Sequence, residues 1–259
     1  MLNDLLLLSG NDIPFEEAQL ILHPPTIKEA ALIGEESLWG GVEFLNFSKD
    51  LLSNEDKTRL SAKSDFEVFM AIIQSNDLSI KVRKAQVELV LALLFPQYHI
   101  SFLPSSLIFQ YNEDKEVILK IDEQTFPMFK KMISTIFCLD QLRGDGNTRE
   151  YKPANAAAEL LVNKFKNRKK KLAQMKKENG EGGLNILSLY VSILAIGAGH
   201  DINTLMNYTI YQLVDEFKRY QLKMSFDINM QARMAGARDL KEAENWMKNI
   251  HSISNDYEV

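Results

Sequence analysis

Several things are scarce in this sequence. It holds one cysteine, Cys138, in 259 residues. No internal disulfide can form, and the chain suits a reducing compartment. Cys138 sits in the apolar run ISTIFCL, which predicts packing over reactivity. The four histidines, His23, His99, His200 and His251, stand far apart, with no HExxH and no CxxC. No metal site can be read from that spacing. GDGN at 144–147 lacks the further acidic ligands and the closing Glu of a calcium loop. Phosphate loops, dinucleotide fingerprints and the G-x-S-x-G elbow are all missing. The acidic pairs Glu35-Glu36 and Asp122-Glu123 are adjacent, so their side chains diverge on a helix and predict capping or solvation. These absences lead to the expectation of no catalytic residue, no metal and no cofactor, and of a protein that is not an enzyme.

Long apolar runs are missing too. Leu184 to Gly199 is short for a bilayer and contains Asn185 and two serines. The leading MLNDLLLLSGND lacks a basic segment and a small-residue cleavage site, and Asp4 sits beside its leucines. It reads as a segment that docks on a core. The expectation is no export and no membrane insertion.

What is present suits a packed helical protein. Hydrophobic residues make up 46% and charged residues 25%, enough for a core and too apolar for wholesale disorder. The formal net charge of −5 does not favour a polyanionic partner for the whole chain. Charge is uneven: residues 1–140 hold 12 basic and 21 acidic side chains, net −9, and residues 141–259 hold 18 and 14, net +4. That asymmetry reads either as two different surfaces or as the weight of one basic segment.

Local signals place the elements. Ala18–Leu22 reads as a strand ended by Pro24-Pro25. Thr26 and Glu29 form a capping box, as do Ser64 with Glu67 and Thr209 with Gln212. Gly34 stops the first of these helices. A second helix is expected over 36–52, softened at Gly40-Gly41. Asp77 can cap a helix from Leu78 to Phe95, whose Val82, Val87, Val90, Leu91 and Leu94 predict burial on most sides of its second half. Pro96 ends it. Leu107–Tyr111 and Glu116–Ile121 read as a β-hairpin. Asp122 or Thr125 caps a helix to about Leu139, with Phe126, Phe129, Ile133 and Phe137 on one side.

The stretch from Arg143 to Thr148 is the best boundary. Pro153 starts a long helix with a stripe of Leu161, Phe165, Leu172 and Met175, which ends at 179–183. Ile186–Ile196 is apolar nearly all round and predicts a central core helix, closed by Gly197 and Gly199. The helix from Thr209 is expected to bury Ile210, Leu213, Val214, Phe217, Met224 and Ile228, and to break at Ala235-Gly236-Ala237. A last helix begins at Asp239 with Glu242. The fold class is therefore α+β, predominantly α-helical. Residues 1–142 form a helical domain with a small antiparallel sheet, and residues 150–259 an all-helical domain.

Two clusters are candidate surfaces. Lys164, Lys166, Arg168, Lys169, Lys170, Lys171, Lys176 and Lys177 form a basic patch with no acidic residue among them. No aromatic lies on the cationic side to stack on bases, so a solvated face or a contact with acidic protein is favoured over nucleic acid. Ile202–Met206 followed by Tyr208–Lys223 imitates a helix-turn-helix, but Asp215 and Glu216 stand where phosphates would approach. The second cluster is Phe217, Tyr220, Met224, Met230, Met234 and Trp246. It reads either as ordinary core or as an adaptable contact with another protein.

PTIKEAALIGEESLW, YKPANAAAELLVNKFKNRKKK and TIYQLVDEFKRYQLK with QARMAGARDLKEAENWMKNI resemble tail-region morphogenesis proteins of bacteriophages, of the tail assembly chaperone type. The resemblance implies a non-catalytic protein of the host cytoplasm that holds the tape-measure or another tail protein until the tube forms. A structural component of the virion, and a helical nucleic-acid-binding regulator, are the alternatives. A homo-oligomer is compatible with the resemblance.

Overall fold

A computed structural model describes residues 4–49, 60–75, 78–112, 118–142, 185–236 and 246–247. It is an α+β protein, predominantly helical, with a two-stranded and a three-stranded antiparallel sheet.

The chain opens with α1 (Asp4–Ser9), which buries Leu7, as a docking segment should. Strands β1 (Ile13–Phe15) and β2 (Leu20–Leu22) then pair around a 3₁₀ turn, Glu16–Ala18. The strand expected from Ala18 starts two residues later, because Gln19 takes a left-handed φ of 56° to turn the chain. Helices α2 (Ile27–Ile33) and α3 (Glu35–Leu45) follow. Both halves of the Thr26–Glu29 capping box are formed. α3 runs unbroken through Gly40-Gly41, contrary to the expected softening. A Cβ at Gly41 would lie 2.5 Å from the Gln86 carbonyl oxygen and 2.6 Å from Val90. The glycines let α3 approach the helix that carries those residues, and that closeness offsets their poor helix propensity.

α4 (Asp65–Ile73) starts at the Ser64–Glu67 capping box. α5 (Leu78–Leu94) ends before Pro96. It buries Val87, Val90, Leu91 and Leu94, but Val82, Glu88, Leu89 and Ala92 are exposed, so its second half is buried on one side only. Strands β3 (Tyr98–Leu103), β4 (Ser106–Tyr111) and β5 (Ile118–Ile121) form a meander. The β4–β5 pair is the expected hairpin, and β3 is an addition to it. α6 (Phe126–Ile136) buries Phe126, Phe129 and Ile133, and α7 (Leu139–Leu142) follows a turn in which Cys138 is buried. Thr125 makes no side-chain cap; Asp122 Oδ1 instead accepts from the N–H groups of Gln124 and Thr125.

Beyond 184 come α8 (Ile186–Ile193), a π-helical turn (Leu194–Ala198), α9 (Ile202–Met206) and α10 (Ile210–Met234). α8 and its π turn are not a central core helix. Leu187, Val191 and Leu194 face inward, while Ser188, Leu189, Ser192 and Ile196 are exposed. An all-apolar run still has one outer side when only one layer covers it.

Buried residues from Leu7 to Leu139 and from Leu187 to Phe217 form one hydrophobic cluster. The expected division into 1–142 and 150–259 therefore does not separate two cores among the described residues. Backbone contacts close the seam: Thr26 bridges Thr209, Ile27 N–H donates to Tyr208 O, and Ile210 N–H donates to Pro25 O. The expected cap at Asp77, the boundary at 143–148, the long helix from Pro153 with its 161–175 stripe, the 179–183 loop and the helix from Asp239 lie outside the described residues.

Candidate partner-binding surface

The surface is built on α10. Its first turn is held from three directions. Thr209 and Gln212 complete a capping box that satisfies free N–H groups of the first turn. Gln212 also donates 2.7 Å to Leu8 O, which ties α10 to α1. Tyr211 is buried and donates 3.3 Å to Asp4. Burial, then the Asp4 charge, push the Tyr211 hydroxyl far above its usual pKa, so it stays a donor.

One turn further, Asp215 is buried and paired with Arg219 at 2.9 Å. Its carboxylate is thus occupied within the helix. Phe217 stacks on Tyr190 of α8, ring centroids 3.7 Å apart and planes 11° from parallel. Glu35 of α3 fixes α8 in turn, accepting from Leu187 N–H at 3.1 Å and Ser188 N–H at 2.9 Å. This remote carboxylate does for α8 what a local cap does elsewhere, since Asn185 makes no side-chain cap. A Cβ at Gly197 would overlap the Tyr220 hydroxyl, so the π turn touches α10 at that point.

Beyond Phe217 no residue of α10 is fully buried, though Leu222, Phe226 and Asn229 stay partly covered. Leu213, Phe217, Tyr220, Met224, Ile228 and Gln231 recur at three- and four-residue steps and so share one face. Along it, exposure rises from 0% at Leu213 and 6% at Phe217 to 41% at Met224 and 59% at Ile228. The expected burial of Met224 and Ile228 does not occur: the named contacts of α10 with α1, α8 and the π turn, made by Gln212, Phe217 and Tyr220, lie earlier in the helix. Met230 and Met234 are exposed on other sides of the helix, and Trp246 and Met247 are exposed beyond its end. Of the six candidate contacts, Phe217 is core and Tyr220 is half-buried; Met224, Met230, Met234 and Trp246 are open. Ile228, Leu189 and Ile196 are exposed apolar residues that the sequence reading did not place at a surface. The eight-residue basic patch from Lys164 to Lys177 lies outside the described residues.

Two histidines sit in polar settings. His200 meets Glu216 of α10 at 3.2 Å. His23 lies between Asp12 at 2.8 Å and Glu29 at 3.4 Å. Burial alone would lower the His23 pKa, but the Asp12 hydrogen bond and the charges of Glu29 and Asp12 outweigh it and raise the pKa. Burial would raise Glu29, yet the Thr26 donors and His23 hold it below its ordinary value. Both groups stand at the seam where Thr26 meets Thr209.

Among the described residues no helix is long and apolar enough to cross a membrane. Comparison with curated proteins and with solved structures gives no match. The family described as YomV second domain matches residues 175–251, which take in α8, the π turn, α9 and the whole of α10. Over those residues the chain is similar to this phage-associated family, and the half-open helix lies inside the match.

Proposed function

We propose that this chain is a non-catalytic phage morphogenesis protein, a tail assembly chaperone of the host cytoplasm. It holds a phage tail protein, the tape-measure or a tube subunit, against the open half of α10. The observation that carries this reading is the stripe that is core at Leu213 and Phe217 and open at Met224 and Ile228. A helix whose apolar stripe runs from burial into the open is suited to receive another chain. Methionine adapts to more than one apolar shape, which favours a client that is still unfolded or unassembled. Lys223 and Asp227, paired at 2.8 Å, border the stripe and keep it charged at the rim.

Co-expression with the tape-measure protein of the same genome tests the reading. The chaperone should co-purify with that protein and be missing from mature particles by mass spectrometry. Met224→Lys with Ile228→Lys should abolish co-purification and leave the far-ultraviolet circular dichroism unchanged. A fixed stoichiometry in purified particles would establish a virion component instead. Unchanged capture by the double variant would remove α10 from the account.

A further inference from the structure

The two sheets have four outer strand edges, and three of them are blocked. β1 turns Pro14 outward, which has no N–H to offer. β2 turns Ile21 and His23 outward, but Ile21 N–H donates to the Tyr98 hydroxyl and His23 N–H to Leu94 O. β5 is four residues long and carries Lys120, paired with Asp122 at 3.1 Å. Short length and charge are ordinary guards against edge pairing.

β3 has no such guard. It is six residues long, YHISFL, with no proline, lysine, arginine or carboxylate. Leu103 pairs with Ser106 across a two-residue loop, and Asn112 N–H donates to Gln97 O. Those two contacts set the phase of the ladder: residues 99, 101 and 103 bond β4, while 98, 100 and 102 turn their backbone groups away. Tyr98 N–H turns back onto Phe95 O. The N–H and C=O groups of Ile100 and Phe102 have no hydrogen-bond partner among the described residues.

We propose that β3 pairs antiparallel with β3 of a second copy of this chain, with Ile100 of each opposite Phe102 of the other. The two three-stranded sheets then join into one of six strands. Self-pairing is favoured because a two-fold axis at Ser101 satisfies both free residues of each copy in one register. Ile100 and Phe102, each half-buried on the side that packs against the core, lie next to each other across the axis and complete their burial. Ser101 faces Ser101 and His99 faces Leu103, so no like charges on the two strands are opposed. Lys84, whose Nζ is 5.5 Å from the Phe102 ring centroid, is already within 3.9 Å of Glu88. This surface is separate from α10, so the dimer and the client reading stand or fall independently.

Sedimentation velocity over a rising concentration series tests the pairing. The wild-type chain should dimerise, and the Ile100 and Phe102 amides should exchange slowly in the dimer and quickly on dilution. Ser101→Lys and Ser101→Glu each place like charges face to face at the closest cross-strand approach, and each should be monomeric with unchanged circular dichroism. An equimolar mixture of the two variants should dimerise again. A wild-type chain that stays monomeric, a dimer indifferent to Ser101→Lys, or a mixture that fails to associate would each overturn the proposal.

Discussion

Leu213 and Met224 occupy the same face of α10, three turns apart, and meet opposite surroundings. Leu213 has no exposed surface, and Met224 is 41% exposed. Nothing in the helix itself changes between them: both are unbranched at Cβ, both favour helix, and both continue one apolar stripe. The difference is what lies opposite. The first half of α10 faces α1, α8 and the π turn through Gln212–Leu8, Phe217–Tyr190 and Tyr220–Gly197 contacts. In the second half Met224 and Ile228 are exposed, while Leu222, Phe226 and Asn229 on a neighbouring side stay partly covered. An apolar stripe therefore states only that something will cover it; which part is covered within the chain depends on where the neighbouring layer stops.

That comparison can be broken or sharpened by mutation. The largest effect should come from Leu213→Ala, at a cost of about 2–5 kcal/mol in denaturant unfolding for a fully buried leucine. An effect below ~1 kcal/mol would mean that the first half of α10 is not seated as described. Gly197→Ala comes next, at about 1–3 kcal/mol for overpacking against Tyr220, with partial recovery in the Gly197→Ala, Tyr220→Phe double variant. Thr209→Ala removes the cap that starts the helix and should cost about 1 kcal/mol. Ile228→Ala, on the same stripe as Leu213 but in the open half, should change stability by less than ~0.5 kcal/mol and show its effect in client binding alone.

The smallest effect concerns pH. The His23 pKa is raised in the folded chain, so its contribution is complete below the ordinary value near 6.5 and is lost as pH rises through the folded value. The Glu29 pKa is lowered, so its contribution is present above the ordinary value near 4.5 and is lost as pH falls. Stability from this pair is greatest between the two. His23→Gln should flatten the alkaline side of a melting-temperature profile and leave the Glu29 side in place. An unchanged alkaline slope would exclude His23 as its source.

Legibility followed the range of the interactions. The three capping boxes could be read because each lies within four residues, and all three are formed. The α6 face of Phe126, Phe129 and Ile133 could be read from periodicity for the same reason. β3 was missed although YHISFL alternates no less than its neighbours, because its pairing with β4 is a contact between segments. Gly40-Gly41 was misread as a weak point because the reason for it, the Gln86 carbonyl and Val90, lies on another helix. Of the candidate contacts, sequence could list Phe217 and Met224 together but could not separate them, since spacing is identical for a buried and an open turn of one helix.

The amino-acid order alone determined where helices begin, which sides of them are apolar, and that the chain is mainly helical with a small antiparallel sheet. Those properties depend on neighbours a few residues apart. Tertiary structure decided that α10 joins the core of the preceding residues, that its stripe opens after Tyr220, and that β3 keeps an unguarded edge. Each of these depends on which distant surface arrives opposite a given face, and local spacing carries no record of that.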